Sequence, residues 1–333
     1  MTTIADIAEA AGVSTGTVAN VLKDRPVGDA RRRRVLAEMK RLDYTPRPRR
    51  RSGTIKADRL LTRIKLIVVG HTFGSVSRHP IYMNLVHGVE RACAERRVSC
   101  QLTALPDPES LDKFELHRGQ GAVLFLGCSP AWAKRWDLSE RCVVTALGRP
   151  LPGIDHADYD HPAVAKLACE YLRQRGVEQT YVVAPQDGDR ARAFLEASEG
   201  FFPQAASSIH IQSIANTANA DGGRLDRQLD LNGLEKGLQP IFAQADTPFG
   251  IFANSDEVAA HVRQIATRHG LVPDRDVHIL GCNNDAILST MVSASIDLHL
   301  ERVGEAAVDL LHGRAAEPTM ARRHLLVQPT LRT

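Results

Sequence analysis

Thr3 to Leu22 reads TIADIAEAAGVSTGTVANVL, and no other stretch of the chain limits the fold as sharply. Ile4, Ile7, Ala8 and Ala11 fall at helical spacing before Gly12, and Val13, Val18, Val21 and Leu22 continue the pattern after it. The pattern predicts two short helices joined by a tight turn, with Gly12 free to take the positive φ such a turn needs. Ser14 stands where an N-cap belongs. The second helix then starts there and presents Thr15, Gly16, Thr17 and Asn20 at its N-terminal end. A helix-turn-helix lays this end of its second helix in the DNA major groove.

A third helix is expected from Asp29 to Leu42, where Val35, Met39 and Leu42 close a small three-helix core. Arg31, Arg32, Arg33 and Arg34 fill its first turns, against the helix dipole, a placement that phosphate neighbours neutralise. Such contacts give affinity and salt dependence without sequence choice. Base reading falls to the second helix. Asn20 suits a bidentate pair with adenine or a phosphate contact, Thr15 and Thr17 suit a thymine methyl or a base edge, and Gly16 permits close approach.

Charge supports a separate head. Residues 1–65 carry sixteen Lys and Arg against seven Asp and Glu, a surplus of nine on a chain of net charge +3, so the remainder is negative by six. A basic module on an acidic body meets a polyanion through the module alone. At 333 residues there is room for two or three domains. No run approaches a membrane span, and the start lacks the layout of a secretory signal, so a cytoplasmic protein is expected. Cys93, Cys100, Cys128, Cys142, Cys169 and Cys282 form no C-x-x-C pair and read as buried thiols rather than disulfides or metal ligands. No catalytic, metal or cofactor motif is found: there is no P-loop, G-x-S-x-G or H-E-x-x-H, and no G-x-G-x-x-G after a strand.

From Ile64 onward, buried-type strands alternate with helices. Strands are expected at 64–70, 100–105, 122–127, 141–148, 181–185, 209–214, 249–253 and 277–282. Helices are expected at 83–96, 162–175, 191–198, 230–245 and 256–269. Such alternation specifies parallel sheets with helices on both faces, whose ligands sit at the carboxyl ends of the strands.

The N-terminal segment resembles the DNA-binding domain of the lactose-repressor (LacI/GalR) family of bacterial transcription regulators. The match runs through TIADIAxxAGVSxxTVxxVL and on through VLAxMxxLxYxP, ending at Tyr44 and Pro46. In that family three positions of the second helix read bases; here they carry Thr15, Gly16 and Asn20. Relatives usually have arginine at the last of these, which implies a different half-site. The body resembles the family's periplasmic-binding-protein-like effector domain. The stretches that carry this are PIYMNLVHGVE (80–90), ADYD (157–160), RARAF (190–194), ANSD (253–256), LGCN (280–283) and IDLHLERVGEAAVDLL (296–311).

The resemblance implies a small all-α head, 1–46, a hinge, 47–62, and a two-lobed α/β body, 63–333. The N-lobe is expected over 63–159 plus 286–318 and the C-lobe over 160–285 plus 319–333, with crossovers near 158–161, 284–298 and 316–322. It further implies an effector held between the lobes, palindromic operator DNA, and a homodimer pairing through helices 83–96 and 301–311. No heptad tail follows, so a tetramer is not expected. Relatives fold the hinge into a helix whose leucine wedges into the minor groove. Here Gly53 replaces that leucine, and Pro48 and Gly53 both disfavour a helix. Arg47, Arg49, Arg50 and Arg51 then read as an extended arm in a narrow minor groove or as a basic linker.

In the body, Arg190 matches the arginine that contacts effectors, and its fork suits a carboxylate, a phosphate or vicinal hydroxyls. Asp256 matches the acid of an Asn-Asp pair, with Ser255 in place of the asparagine; either residue also suits a helix N-cap. Asn283 replaces an aspartate that binds sugars in many relatives, and His71 and Phe73 lie on a loop that lines the cleft. The implied function is an effector-responsive repressor. A regulator controlled by a protein partner, an enzyme and an exported solute receptor are the other classes weighed. The basic head favours the first two.

Overall fold

The computed structural model describes residues 3–22, 27–42, 61–77, 79–107, 114–126, 128–185, 188–203, 206–211, 213–215, 227–244 and 248–333. Two compact units emerge, Met1–Ile55 and Lys56–Thr333.

In the first unit α1 (Ile4–Ala10), α2 (Thr15–Leu22) and α3 (Asp29–Arg41) bury Ile7, Val18 and Val35 completely, and Met39 and Leu42 pack against them. Thr3 and Asp6 form a capping box at the start of α1. Gly12 has φ +61°, and Ser14 Oγ accepts from the Thr17 amide at 3.2 Å, so turn and cap fall where the residue types put them. The hinge arginines Arg47, Arg49, Arg50 and Arg51 lie outside the described residues.

In the second unit apolar runs such as Arg63–Val69 (RIKLIVV) and Gln120–Leu126 (QGAVLFL) are buried on both faces, as strands between two helical layers must be. The N-lobe sheet joins β1 (Arg63–Val69), β2 (Ser99–Leu105), β3 (Gln120–Leu126), β4 (Val143–Ala146), β5 (Asp155–Tyr159) and β13 (His324–Val327) in the order β13-β5-β4-β3-β1-β2, all parallel. The C-lobe sheet joins β6 (Thr180–Pro185), β7 (Ser207–Ile211), β10 (Phe249–Ala253), β11 (Val277–Cys282), β12 (Ser295–Asp297) and β14 (Thr330–Arg332) in the order β14-β12-β11-β10-β6-β7. A separate antiparallel pair links β8 (Ser213–Ala215) and β9 (Arg227–Leu229).

The helices of the body are α4 (Phe73–Ser77), α5 (Pro80–Glu95), α6 (Pro130–Arg135), α7 (His161–Gln174), α8 (Asp189–Ser198), α9 (Leu231–Gln244), α10 (Asp256–Arg268) and α11 (Leu300–Ala316). Among the described residues no helix is long and apolar enough to cross a membrane.

Three details differ from the sequence expectation. The sheets are not wholly parallel: β14 runs antiparallel to β12. Parallel strands all end at the inter-lobe side, so a chain arriving there directly from β13 enters the second sheet running the other way. The later crossings also lie further along than 286 and 319. β12 still pairs with β11, so the second crossing falls at Leu298–His299; β13 pairs with β5 before the third at Gln328–Pro329. The thiols differ as well: Cys93, Cys169 and Cys282 are buried, but Cys128 and Cys142 are half-buried and Cys100 is exposed.

Strand β5 is DHADY, entirely buried despite its polar residues. A remote arginine makes this tolerable: Arg314 (3% exposed) forks onto Asp155 (0% exposed) at 2.8 and 3.2 Å. Its remaining donors reach the carbonyls of Pro318, Met320 and Ala321 at 2.8, 2.6 and 3.2 Å. Burial alone would raise the Asp155 carboxyl, but the Arg314 fork and the Arg323 amide outweigh it and hold the group below the usual carboxylate range. At the first crossing, Asp160 caps α7 through the Ala163 amide at 3.0 Å and accepts from Gln328 Nε2 at 2.8 Å, tying two crossings together. Within the chain α5 packs on α11. A Cβ on Gly88 would overlap the backbone of Glu301, and one on Gly304 the carbonyl of Leu85, so only glycine permits this approach.

Candidate nucleic-acid interface and effector cleft

In the head, Ser14 Oγ contacts Thr17 Oγ1 at 3.0 Å, which holds Thr17 half-buried, while Thr15 and Gly16 are exposed and Asn20 is half-exposed. A Cβ on Gly16 would meet only Ser14 Oγ, at 3.7 Å. The helix start is therefore open to a partner surface, and its amides carry partial positive charge. On α3, Arg31 is exposed and Arg32 half-buried, with Val35 turned into the core. These groups can bind a phosphate backbone and present one amide side chain, two hydroxyls and a bare backbone to base edges.

In the body, Arg190 enters from the first turn of α8. Its Nη1 donates to Asn283 Oδ1 at 3.1 Å and to Cys282 Sγ at 3.2 Å, and its guanidinium lies 5.6 Å from the centre of the Tyr159 ring. Burial pushes the Cys282 thiol and the Tyr159 and Tyr82 hydroxyls up, so these neighbours meet the cation as neutral groups. Asn283 and Asn284 follow β11 with φ of +108° and +51°, strained values held by Asn283 N–H to the Ile296 carbonyl at 2.8 Å and Asn284 N–H to Ser295 Oγ at 2.9 Å. The turn aims Asn283 at Arg190.

The cap of α10 is Ser255, whose Oγ accepts from the Val258 amide at 3.3 Å. That leaves Asp256 as the first helical residue, buried, with Oδ2 accepting from the Asp285 amide at 2.7 Å. Desolvation raises its carboxyl to about 6, against the opposing pull of that amide and of Arg190. A Cβ on Gly281 would overlap this carboxylate, so the strand must carry glycine there.

The structure thus brings Arg190, Asn283 and Asp256 together. His71 is buried at the end of β1 in the other lobe, and Phe73 is 45% exposed on α4. Sequence reasoning missed Tyr82, Tyr159 and Cys282; only Tyr159, an aromatic beside an expected crossover, carried a readable signal. Among the described residues no group of three His, Cys, Asp or Glu is arranged to hold a metal ion.

Two family models match the chain: bacterial regulatory proteins, lacI family, over residues 3–47, and a periplasmic binding protein-like domain over 169–333. The ribose operon repressor of Escherichia coli (strain K12) is 28% identical over 99% of this chain and 98% of that protein. The chain belongs to the lacI family of bacterial regulatory proteins. It is a DNA-binding transcription regulator. Two solved structures share its fold: a transcriptional regulator, CelR, in complex with cellobiose (TM-score 0.60, 20% identity, covering 100% of this chain and 99% of that one) and the lac repressor dimer bound to operator and an anti-inducer (TM-score 0.56, 16% identity, 100% and 98%).

Proposed function

We propose that this lacI-family protein is a repressor that binds a palindromic operator as a homodimer and releases or gains it as a small polar metabolite enters the cleft between its lobes. Thr15, Gly16, Thr17 and Asn20 read bases, Arg31 and Arg32 hold phosphates, and Arg47, Arg49, Arg50 and Arg51 follow the minor groove at the operator centre. The observation that carries the effector reading is the Arg190 guanidinium, held by Asn283 and Cys282 over Tyr159. A carboxylate, phosphate or vicinal diol competes for that fork, with Asp256 on the C-lobe wall and His71 and Phe73 on the N-lobe wall. An effector preferring one lobe geometry shifts the population of dimers whose heads match the operator.

A second reading rests on the same contact. Arg190 is already satisfied within the chain, and an amide stands where relatives carry an acid, which fits a cleft controlled by a protein partner or by nothing. No turnover is expected in either case, and the protein acts in the cytoplasm at the nucleoid. Operator binding followed by fluorescence anisotropy, with pooled sugars, sugar phosphates, carboxylates and nucleobases, separates the two. A pool that changes affinity at least tenfold, with the response lost in Arg190→Lys, supports the effector reading. Indifference to every pool moves the function to the second.

A further inference from the structure

A cavity of about 610 Å³ opens between the lobes on the other face of β5, away from Tyr159 and Arg190. Its floor is His156 and Asp158 from β5 and His161 from the start of α7; Glu196 of α8 and Arg149 of the loop after β4 stand at its rim. His156 is 1% exposed, and its Nδ1 lies 2.9 Å from Thr145 Oγ1, itself 3.4 Å from the Asp155 carbonyl. The ring either accepts the Thr145 hydroxyl at Nδ1 and turns Nε2–H toward Asp158 Oδ2, or donates from Nδ1 and leaves Nε2 an acceptor. Among the described residues Nε2 has no hydrogen-bond partner.

Asp158 is equally under-used. Its Oδ1 accepts from the Tyr159 amide at 2.8 Å, but Oδ2 stands 3.5 Å from His156 Nε2 and 3.8 Å from His161 Nε2, beyond good hydrogen-bond length. Burial alone would raise this carboxyl; the two imidazoles outweigh it and keep the group ionised. Arg192, also on the wall, pairs with Asp189, which leaves Asp158 and Glu196 facing Arg149. A buried, ionised carboxylate whose Oδ2 lacks a close hydrogen bond, in a cavity with acid in excess, calls for a cation with several N–H donors.

We infer that this cavity is a second ligand site, for a small aliphatic amine whose ammonium group bonds Asp158 Oδ2 and whose far end reaches Glu196. Asp158 belongs to one lobe and Glu196 to the other, so a diamine bridges them. The Tyr159 ring lies 4.4 Å from the His161 ring, centre to centre, and so joins this site to the wall of the Arg190 cleft.

The test is calorimetric titration of 1,4-diaminobutane into the DNA-free full-length protein, with ribose and ammonium chloride as controls. Saturable binding is expected, at least tenfold weaker in Asp158→Asn, several-fold weaker in Glu196→Gln, and unchanged in Arg190→Lys. Glu196 is exposed, so Glu196→Gln keeps the test decisive if Asp158→Asn destabilises the protein. Absence of saturable binding, binding untouched by Glu196→Gln, or binding lost with Arg190→Lys would each overturn the site. None of these outcomes depends on the identity of the cleft effector.

Discussion

Replacing Asp256 by asparagine should stabilise the body, and the size of the gain follows from its burial. The carboxyl is raised from 3.8 to about 6, so an unfolded chain releases this proton far more readily than the folded one. The sign is the reverse of a salt-bridged acid: the folded state favours the protonated form, and stability falls as pH rises from about 4 through about 6. At about 1.4 kcal/mol per pKa unit, the ionised group costs about 3 kcal/mol at pH 8, about 1.6 kcal/mol at pH 5, and almost nothing below pH 4. Asparagine keeps the shape and can accept the Asp285 amide while carrying no charge. Urea unfolding at pH 5 and pH 8 should therefore show Asp256→Asn gaining about 1.4 kcal/mol more at the higher pH. A gain independent of pH, or a loss at pH 8, would mean that Asp256 is not a desolvated carboxylate. If Asp256 faces the effector, the stabilised variant should also lose effector response, a trade of activity for stability.

Other substitutions test other parts. Arg314→Met leaves Asp155 buried and unpaired, and should cost about 3–5 kcal/mol in urea unfolding at pH 7; a change under about 1 kcal/mol would deny the pair its role in holding β5. Gly16→Ala meets no clash and should leave unfolding unchanged or stabilised by up to about 1 kcal/mol while altering the preferred operator. Its anisotropy titrations against a set of half-sites would show an unaltered preference if Gly16 does not face the bases. Asn20→Ala should cost about 1–3 kcal/mol at one base pair only, whereas Arg31→Ala should weaken all sequences alike and lower the salt slope by about one.

The head was legible because its signals are local. Gly12, Ser14 and the apolar spacing around them lie within one turn of what they determine. The apolar strands were legible for the same reason. Strand β5 was not, because Asp155 and His156 are held in it by partners far along the chain, the Arg314 side chain and the Arg323 backbone. The third crossing lies beyond the expected stretch because His324–Val327 first pairs with β5, and so short a strand carries too little pattern to announce which sheet it joins. In the cleft, Arg190 and Asn283 came from the resemblance to a family. Tyr82 reaches Arg190 from the other lobe and Cys282 from a strand far along the C-lobe, and no spacing rule reports either contact.

Operator reading by the second helix carries the rest of the proposed function. Selection of random duplex DNA on the purified full-length protein at fixed salt addresses it directly, with Asn20→Ala in parallel. A palindromic site should be enriched, with one base position in each half-site relaxed in the variant. Recovery of unselected sequence by the native protein, or an identical site from both proteins, would contradict the assignment of Thr15, Gly16 and Asn20.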